Sequence, residues 1–453
     1  KAEKFLKISL GGYDEGDFAM IMGFPGSTQR YMTSYEIDRL LEVENPQRIF
    51  IRGERQAILK EDMAASAKVR IQYASKYAQS SNYWKNSIGK SRGIRRLDVK
   101  GRKQEQEAAF TAWAAKNTLP TEGYSNALNL IRESVEETAP YFASSQYLSE
   151  AIGRSVEILA PARLAVSKKG GELTEALKAF YKDYNMPTDR RVAKRMFRIV
   201  GENCKELPSV FAEVIGKRFG GDTDAYVDYL YDNSVFADER KALAAAAAGT
   251  DVSNDPAVLL NKSYTAKMRE LAAEQLAGKR KFADGQRLYI AGLMRMQPNK
   301  AWASDANFTL RLTYGRVLPY DPADGIHYNY YTTLKGVMEK ENPQNPTEFT
   351  VPARLKELYA AKDFGRYANE RGELPVAFLA DCDITGGNSG SPVLNAKGAL
   401  LGLAFDGNWE AMSGDVAFEP ELQRTIAVDV RYVLFVIDKF AGAGWLLDEL
   451  QFE

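Results

Sequence analysis

The residues with the clearest chemical meaning are Gly386-Gly387-Asn388-Ser389-Gly390-Ser391-Pro392. A serine hydroxyl attacks a carbonyl only when a base takes its proton and fixed donors receive the oxyanion that forms. Glycine at 387 can adopt a conformation that aims its N–H at the same point as the N–H of Ser389. Gly390 leaves room for a substrate backbone, and Ser391-Pro392 leads into a strand. The string therefore predicts Ser389 as an acyl-transfer nucleophile, with an oxyanion hole made by the amides of Gly387 and Ser389. Without that chemistry it would be a Gly/Ser-rich hairpin loop. The base is the missing part. The chain has one histidine, His327, in Tyr320-Asp321-Pro322-Ala323-Asp324-Gly325-Ile326-His327. A triad of Asp324, His327 and Ser389 is the alternative within the chain, but this segment reads as a loop of the β region.

The elements that must position the motif differ in texture along the 453 residues, a length that suggests two units or one large insertion. Residues 1–34 read as strands (Phe5, Leu6, Ile8, Leu10, then Asp17 to Met22) ending at the turn cluster Gly23-Phe24-Pro25-Gly26-Ser27. From about 46 to 300 the sequence is rich in Ala, Glu, Lys, Arg and Leu with helical apolar spacing. Asn45-Pro46 reads as its start signal, and Gly89 and Pro161 as two of its breaks. Strand texture returns from Phe308, with alternation to Tyr314, the short apolar run 375–380, and a hairpin over 392–405. The tail Val428–Phe440 reads as a closing helix. The expected organisation is 1–40 as a β segment, 41–305 as an inserted α-helical domain, and 306–453 as the remaining β region with the nucleophile.

Composition excludes several classes. Lys plus Arg and Asp plus Glu are 60 each, so no global field favours nucleic acid or an anionic membrane. The basic stretch Lys90–Lys103 lacks interleaved aromatics and reads as a solvated helix end. No apolar run is long enough for a membrane span. The two cysteines, Cys204 and Cys382, form no CxxC pair, scattered carboxylates show no metal-ligand spacing, and no phosphate-binding glycine loop occurs. Neither a metal nor a cofactor is expected. Residues 1–4 lack an apolar leader and no Met starts the chain, so a processed or truncated product is expected.

The motif resembles the GDSGGP and GNSGSP elbows of chymotrypsin-fold peptidases, and Gly16 to Gly26 resembles the strand that opens their second barrel. More narrowly, residues 308–440 are similar to bacterial dipeptidyl peptidases of the 7 and 11 type. The strings that carry this are Asp383–Val393, Ala404-Phe405-Asp406-Gly407-Asn408-Trp409-Glu410 and Gln423–Leu434, with Gly23–Thr28 and Asn82-Tyr83-Trp84-Lys85-Asn86 upstream. The resemblance implies an α+β fold: a chymotrypsin-type double β-barrel, mainly its second barrel here, with a large all-α domain inserted. The first barrel, with the catalytic His and Asp, would then lie before Lys1, and that missing segment is an expected partner.

The implied activity is serine-type release of dipeptides from free peptide N-termini. Asp406, 17 residues after Ser389, would take the substrate ammonium; otherwise it is a turn carboxylate. Asn82 and Asn86 share one helix face, and either could contact the same amine. In acid-preferring relatives a basic residue stands at the place of Gly407, so glycine implies aliphatic or aromatic side chains at the penultimate (P1) position. The resemblance also implies oligopeptide substrates, a homodimer, and a periplasmic or cell-surface location. The alternatives are an endopeptidase of the same fold and an inactive peptide-binding homologue.

Overall fold

A computed structural model describes residues 3–345 and 348–453. The fold is α+β with an antiparallel sheet, and it divides into two units. The β-rich unit takes the residues up to Met32, Gly89–Val99 and Ala301–Glu453; the helical unit takes Thr33–Ile88 and Lys100–Lys300.

Among the described residues of the β-rich unit nine strands occur: β1 (Phe18–Gly23), β2 (Arg311–Arg316), β3 (Tyr320–Ala323), β4 (Ile326–Tyr328), β5 (Tyr331–Thr333), β6 (Pro375–Ala380), β7 (Pro392–Leu394), β8 (Leu400–Gly407) and β9 (Thr425–Asp429). Seven form one antiparallel sheet in the order β2-β1-β7-β8-β9-β6-β5, and β3 pairs with β4 alone. The chain beyond β2 then turns onto β6. Val317 bridges Ala380, the Asp381 N–H donates to Arg316 O at 3.1 Å, and the Leu318 N–H to Leu379 O at 3.3 Å. These bonds join β6 back to β2, so six strands form a hydrogen-bonded ring.

Alternation explains which side chains fill that ring. Ala19 and Ile21 of β1 point inward with Phe378, Val393, Leu401, Ala404 and Ala427. Their neighbours Phe18 and Met22, and Leu312 and Tyr314 of β2, are exposed. A second core of Ile8, Leu334, Leu355, Tyr367 and Phe435 lies under the C-terminal helix Val430–Phe435. Asp429 caps that helix, accepting from the Arg431 N–H at 2.8 Å, while the Arg431 guanidinium and the Tyr13 hydroxyl (2.7 Å) hold its other oxygen. Gly12 is left-handed (φ 76°), and a side chain there would collide with Arg431.

Several expectations are corrected. Helix begins at Ser34, not at Asn45-Pro46, because Glu36 accepts from the N–H (2.8 Å) and hydroxyl (2.9 Å) of Thr33. Asn45 and Pro46 lie inside that helical run, after a π-helical turn at Leu40–Glu44. The unit boundary is accordingly Met32/Thr33, and its return is Lys300/Ala301. Residues 3–10 form no strand; Ile8 makes isolated parallel bridges to Leu400 and Phe452. Phe308–Leu310 precede the strand they were expected to start, and Val428 and Asp429 belong to β9 rather than to the closing helix.

Gly89 is not a break. The helix Ala67–Arg96 runs through it, and a Cβ at Gly89 would press on Met412 and Trp409, as one at Gly93 would on Ser413. Two glycines one turn apart let this helix seat against the 3₁₀ turn Trp409–Ser413, which is why Gly89–Val99 counts with the β-rich unit. In the helical unit, Gly278, Gly285 and Gly292 do similar work at seven-residue spacing. They let the helix Leu276–Met296 close on Thr138, Ile131 and Phe110.

The helical core also encloses a carboxyl group. Asp189 is buried and accepts from the N–H groups of Glu157 (2.7 Å) and Ile158 (2.8 Å) and from the hydroxyls of Tyr231 (2.7 Å) and Tyr184 (3.2 Å). Burial, helped by the charge of Glu157, raises its pKa to about 7. A raised carboxyl pKa favours the fold while the group is protonated, and that contribution is lost as pH rises from about 4 to about 7. The urea midpoint is therefore expected to fall over that window, by roughly 1–3 kcal/mol in stability, and the fall should be blunted in Asp189→Asn.

Candidate active site

The segment from Gly386 to Ser391 is a tight loop between β6 and β7. Gly387 has φ 111° and Gly390 φ 87°, conformations that glycine adopts without strain. A Cβ on Gly387 would also strike the backbone of Phe24 and Gly26, and the Gly26 N–H donates to Gly386 O at 2.6 Å. The loop thus lies directly on the turn that follows β1. Three of its six amides are already used. Asn388 N–H donates to Thr385 O (3.1 Å), Ser391 N–H to Asn388 O (2.9 Å) and Gly390 N–H to Ala404 O on β8 (2.7 Å). The buried Asn388 side chain accepts from the Thr385 N–H at 3.3 Å. The amides of Gly387 and Ser389 have no acceptor among the described residues, and both residues are exposed. The Ser389 hydroxyl likewise has no partner among the described residues.

Two buried-charge contacts pin the approach to this loop. Asp383 receives Arg30 Nη2 on both oxygens, at 2.8 and 2.9 Å, and its N–H donates to Thr313 Oγ1 at 2.9 Å. Burial pushes the Asp383 carboxyl up, Arg30 opposes this, and Asp415 adds to it. Arg30 is set by its own N–H on Asp305 Oδ1 (2.9 Å), which also takes the Thr28 hydroxyl (2.6 Å). Asp415 takes the Thr385 hydroxyl on one oxygen (2.5 Å) and Lys90 Nζ on the other (2.8 Å). Lys90 is therefore an internal ion-pair partner, with a side chain only 14% exposed, and not part of a solvated helix end. The Cys382 thiol beside Asp383 is pushed up to about 12 by burial and the flanking carboxylates, which makes it inert.

Asp406 sits on β8 just past a bulge that begins at Ala404, the residue bonded to the Ser389 loop. It is exposed, and its Oδ1 accepts from the Gly407 N–H at 2.8 Å. A Cβ at Gly407 would lie 3.0 Å from Ala411 Cβ, 3.5 Å from Met412 Cε and 3.7 Å from the Arg424 carbonyl oxygen, so the nearest side chains are apolar. Asn408 caps the following 3₁₀ turn, holding the N–H groups of Ala411 and Arg424.

Asn82 and Asn86 lie on the portion of the helix Ala67–Arg96 that belongs to the helical unit, the first exposed and the second half-buried. Between them Trp84 Nε1 is anchored on Ile49 O (2.9 Å), and the Tyr83 ring lies under Arg52. His327 is on the separate β3–β4 hairpin, exposed, with Nδ1 at 2.7 Å from Asp321 rather than Asp324. No hydrogen bond joins it to Ser389 among the described residues. The same residues contain no cluster of three or more ligands able to hold a metal, and no helix is long and apolar enough to cross a membrane.

A family model described as peptidase S46 matches residues 1–452. The chain belongs to the peptidase S46 family. It is 48% identical over 475 residues to dipeptidyl-peptidase 7 of Phocaeicola vulgatus, covering 99% of this chain and 64% of that protein. It is 40% identical over 471 residues to the Asp/Glu-specific dipeptidyl-peptidase of Porphyromonas gingivalis, covering 99% of this chain and 65% of the relative. The chain thus spans slightly less than two thirds of the length of these relatives. Among solved structures, DPP11 of Porphyromonas endodontalis in complex with the dipeptide Arg-Glu superposes with a TM-score of 0.89 at 36% identity, over 99% of this chain and 67% of that one.

Sequence reading missed Arg30, Thr28, Asp305, Lys90 and Asp415. Asp383 and Thr28 stood inside quoted strings and Lys90 opened a basic stretch, but nothing in their neighbours pointed to these pairings. Because Asp415 links Thr385 to Lys90, Asp415→Ala should release the loop. Amide exchange over 385–391 is expected to accelerate about tenfold or more, as the loss of one charge-assisted pair implies, and the exchange of β8 and β9 should change little.

Proposed function

We propose that this protein is the nucleophile-bearing part of a serine dipeptidyl aminopeptidase that releases dipeptides from free peptide N-termini. The observation that carries the reading is the loop at Ser389, an exposed serine whose own amide and that of Gly387 have no acceptor among the described residues. Ser389 Oγ attacks the carbonyl after the second substrate residue, its proton passes to a base, and the two amides hold the oxyanion. Collapse expels the shortened peptide as an amine, which takes the proton, and water then releases the dipeptide.

The ring of six strands is the second barrel of a chymotrypsin-type double barrel in this reading. The catalytic His and Asp come from a part of the longer relatives that this chain does not span. The exposed apolar face of β1 and β2 (Phe18, Met22, Leu312, Tyr314) supports a further packed body there. Asp406 takes the substrate ammonium, which limits cleavage to free N-termini. A periplasmic or cell-surface homodimer belongs to the same reading.

Penultimate preference is for aliphatic or aromatic side chains. Gly407 offers no cation and its nearest side chains are apolar. Nearby Arg424 is engaged by the carbonyls of Pro319, Pro420, Glu421 and Gln423 and cannot serve an acidic side chain. A preference for Asp or Glu is the second reading, favoured by the likeness to DPP11 with Arg-Glu bound.

Dipeptide release from free and N-acetylated peptides with varied second residues tests all of this, on the chain and on the full-length gene product. The full-length enzyme should release dipeptides ending in hydrophobic residues, lose at least about 10³-fold in Ser389→Ala, and leave acetylated peptides intact. Cleavage of acetylated peptides would mean an endopeptidase, and no turnover by either form an inactive binder. Gly407→Arg is expected to shift the kcat/KM ratio toward Asp and Glu by about tenfold or more. An acid preference in the parent would sink the hydrophobic assignment.

A further inference from the structure

The helical unit has an opening into its core that the chemistry proposed above does not use. This cavity of about 260 Å³ lies among the π-helical turn Phe211–Gly216, the helix Thr223–Asn233 and the first turns of the helix Pro256–Glu274. One side is apolar, from Val210, Val214 and Leu259. The polar groups are mostly donors. Tyr226 is 2% exposed and lines the cavity, yet its hydroxyl has no hydrogen-bond partner among the described residues. The hydroxyl opens onto the cavity and is left free to donate to whatever enters it. Burial also raises its pKa, so it remains a donor.

Two further donors converge. Ser209 and Ser263 share one hydrogen bond of 3.0 Å, and Ser263 Oγ already accepts the Val210 N–H at 2.9 Å. Whichever hydroxyl donates within the pair, one hydroxyl proton is left over. Arg218 stacks over Tyr229 at 4.0 Å and has no carboxylate partner among the described residues. The lining acceptor, Glu213, is taken by Lys217, and its charge disfavours ligands with more than one negative group.

We propose that this cavity is a receptor for a small monocarboxylate with an aliphatic body, of amino-acid to dipeptide size, such as a terminal carboxylate beside a leucine-like side chain. The carboxylate meets Arg218, the Tyr226 hydroxyl and the free serine proton, and the side chain lies against Val210, Val214 and Leu259. A rigid stacked guanidinium suits a carboxylate better than an ammonium would, and the volume is near the lower bound for small-molecule sites.

N-acetyl-leucine is the probe, because without a free amine it cannot use an ammonium site at Asp406, so the result is independent of the peptidase reading. Calorimetric titration should give one saturable site. Binding is expected to weaken at least about tenfold in Arg218→Met and about three- to tenfold in Tyr226→Phe, and to be unchanged in Asp406→Asn. N-acetyl-leucinamide should bind at least about tenfold more weakly than the acid. Arg218 is exposed and Tyr226→Phe keeps the buried ring, so both variants retain the fold. No saturable binding, equal binding of acid and amide, parent-like binding by Arg218→Met, or loss only in Asp406→Asn would each overturn the proposal.

Discussion

β1 is the strand on which the β-rich unit depends. It pairs along one edge with β2, Phe18 opposite Arg316 to Gly23 opposite Arg311, and along the other with β7, Met20 opposite Leu394. Both partners lie roughly 300 or more residues later in the chain, beyond the whole helical block. Closing so long a loop is entropically costly, but the cost grows only slowly with length. A contiguous ladder with a dry interior at Ala19 and Ile21 is enough to hold it. The turn after β1 then supplies the backbone surface on which the Ser389 loop rests, and Gly387 is the residue type that allows so close an approach.

The charges near that loop are partly screened from water. The Asp383 carboxylate is matched by Arg30, and that of Asp415 by Lys90 and the Thr385 hydroxyl. Removing one partner of such a group strands the other, which costs far more than the pair itself contributes. The pairs therefore act chiefly as registers. They specify one arrangement of the loop among the several that its glycines would permit. Asp429, with Tyr13 and Arg431, performs the same service where β9 turns into the C-terminal helix.

The helix Ala67–Arg96 is the clearest case of local signals overridden by packing. Glycine weakens a helix by about 1 kcal/mol relative to alanine, and Gly89 reads as a break, with Gly93 one turn on. They are instead the places where Met412, Trp409 and Ser413 come up against the helix backbone. The lost propensity is offset by close packing, and the same helix carries Lys90 to Asp415 and Arg96 to Glu410.

Much of the site was legible along the chain. The loop Gly386–Pro392 is recognisable because its requirements are local: positive φ at fixed positions, small residues where backbones meet, and a strand directly after. The change from alternating to helical spacing and back likewise marked a helical block inside a β region, because burial periodicity is written into consecutive side chains, but not that Gly89–Val99 counts with the β-rich unit. Asp406 was legible as a carboxylate on the strand or loop beside the nucleophile. What the chain alone could not show was who meets whom. Arg30 finds Asp383 across 353 residues and Lys90 finds Asp415 across 325, while His327 takes Asp321 in preference to Asp324. A lone carboxylate or cation looks the same in sequence whether solvated or buried. Only the folded packing, by removing water from one and bringing a partner to it, decides which charges organise the site.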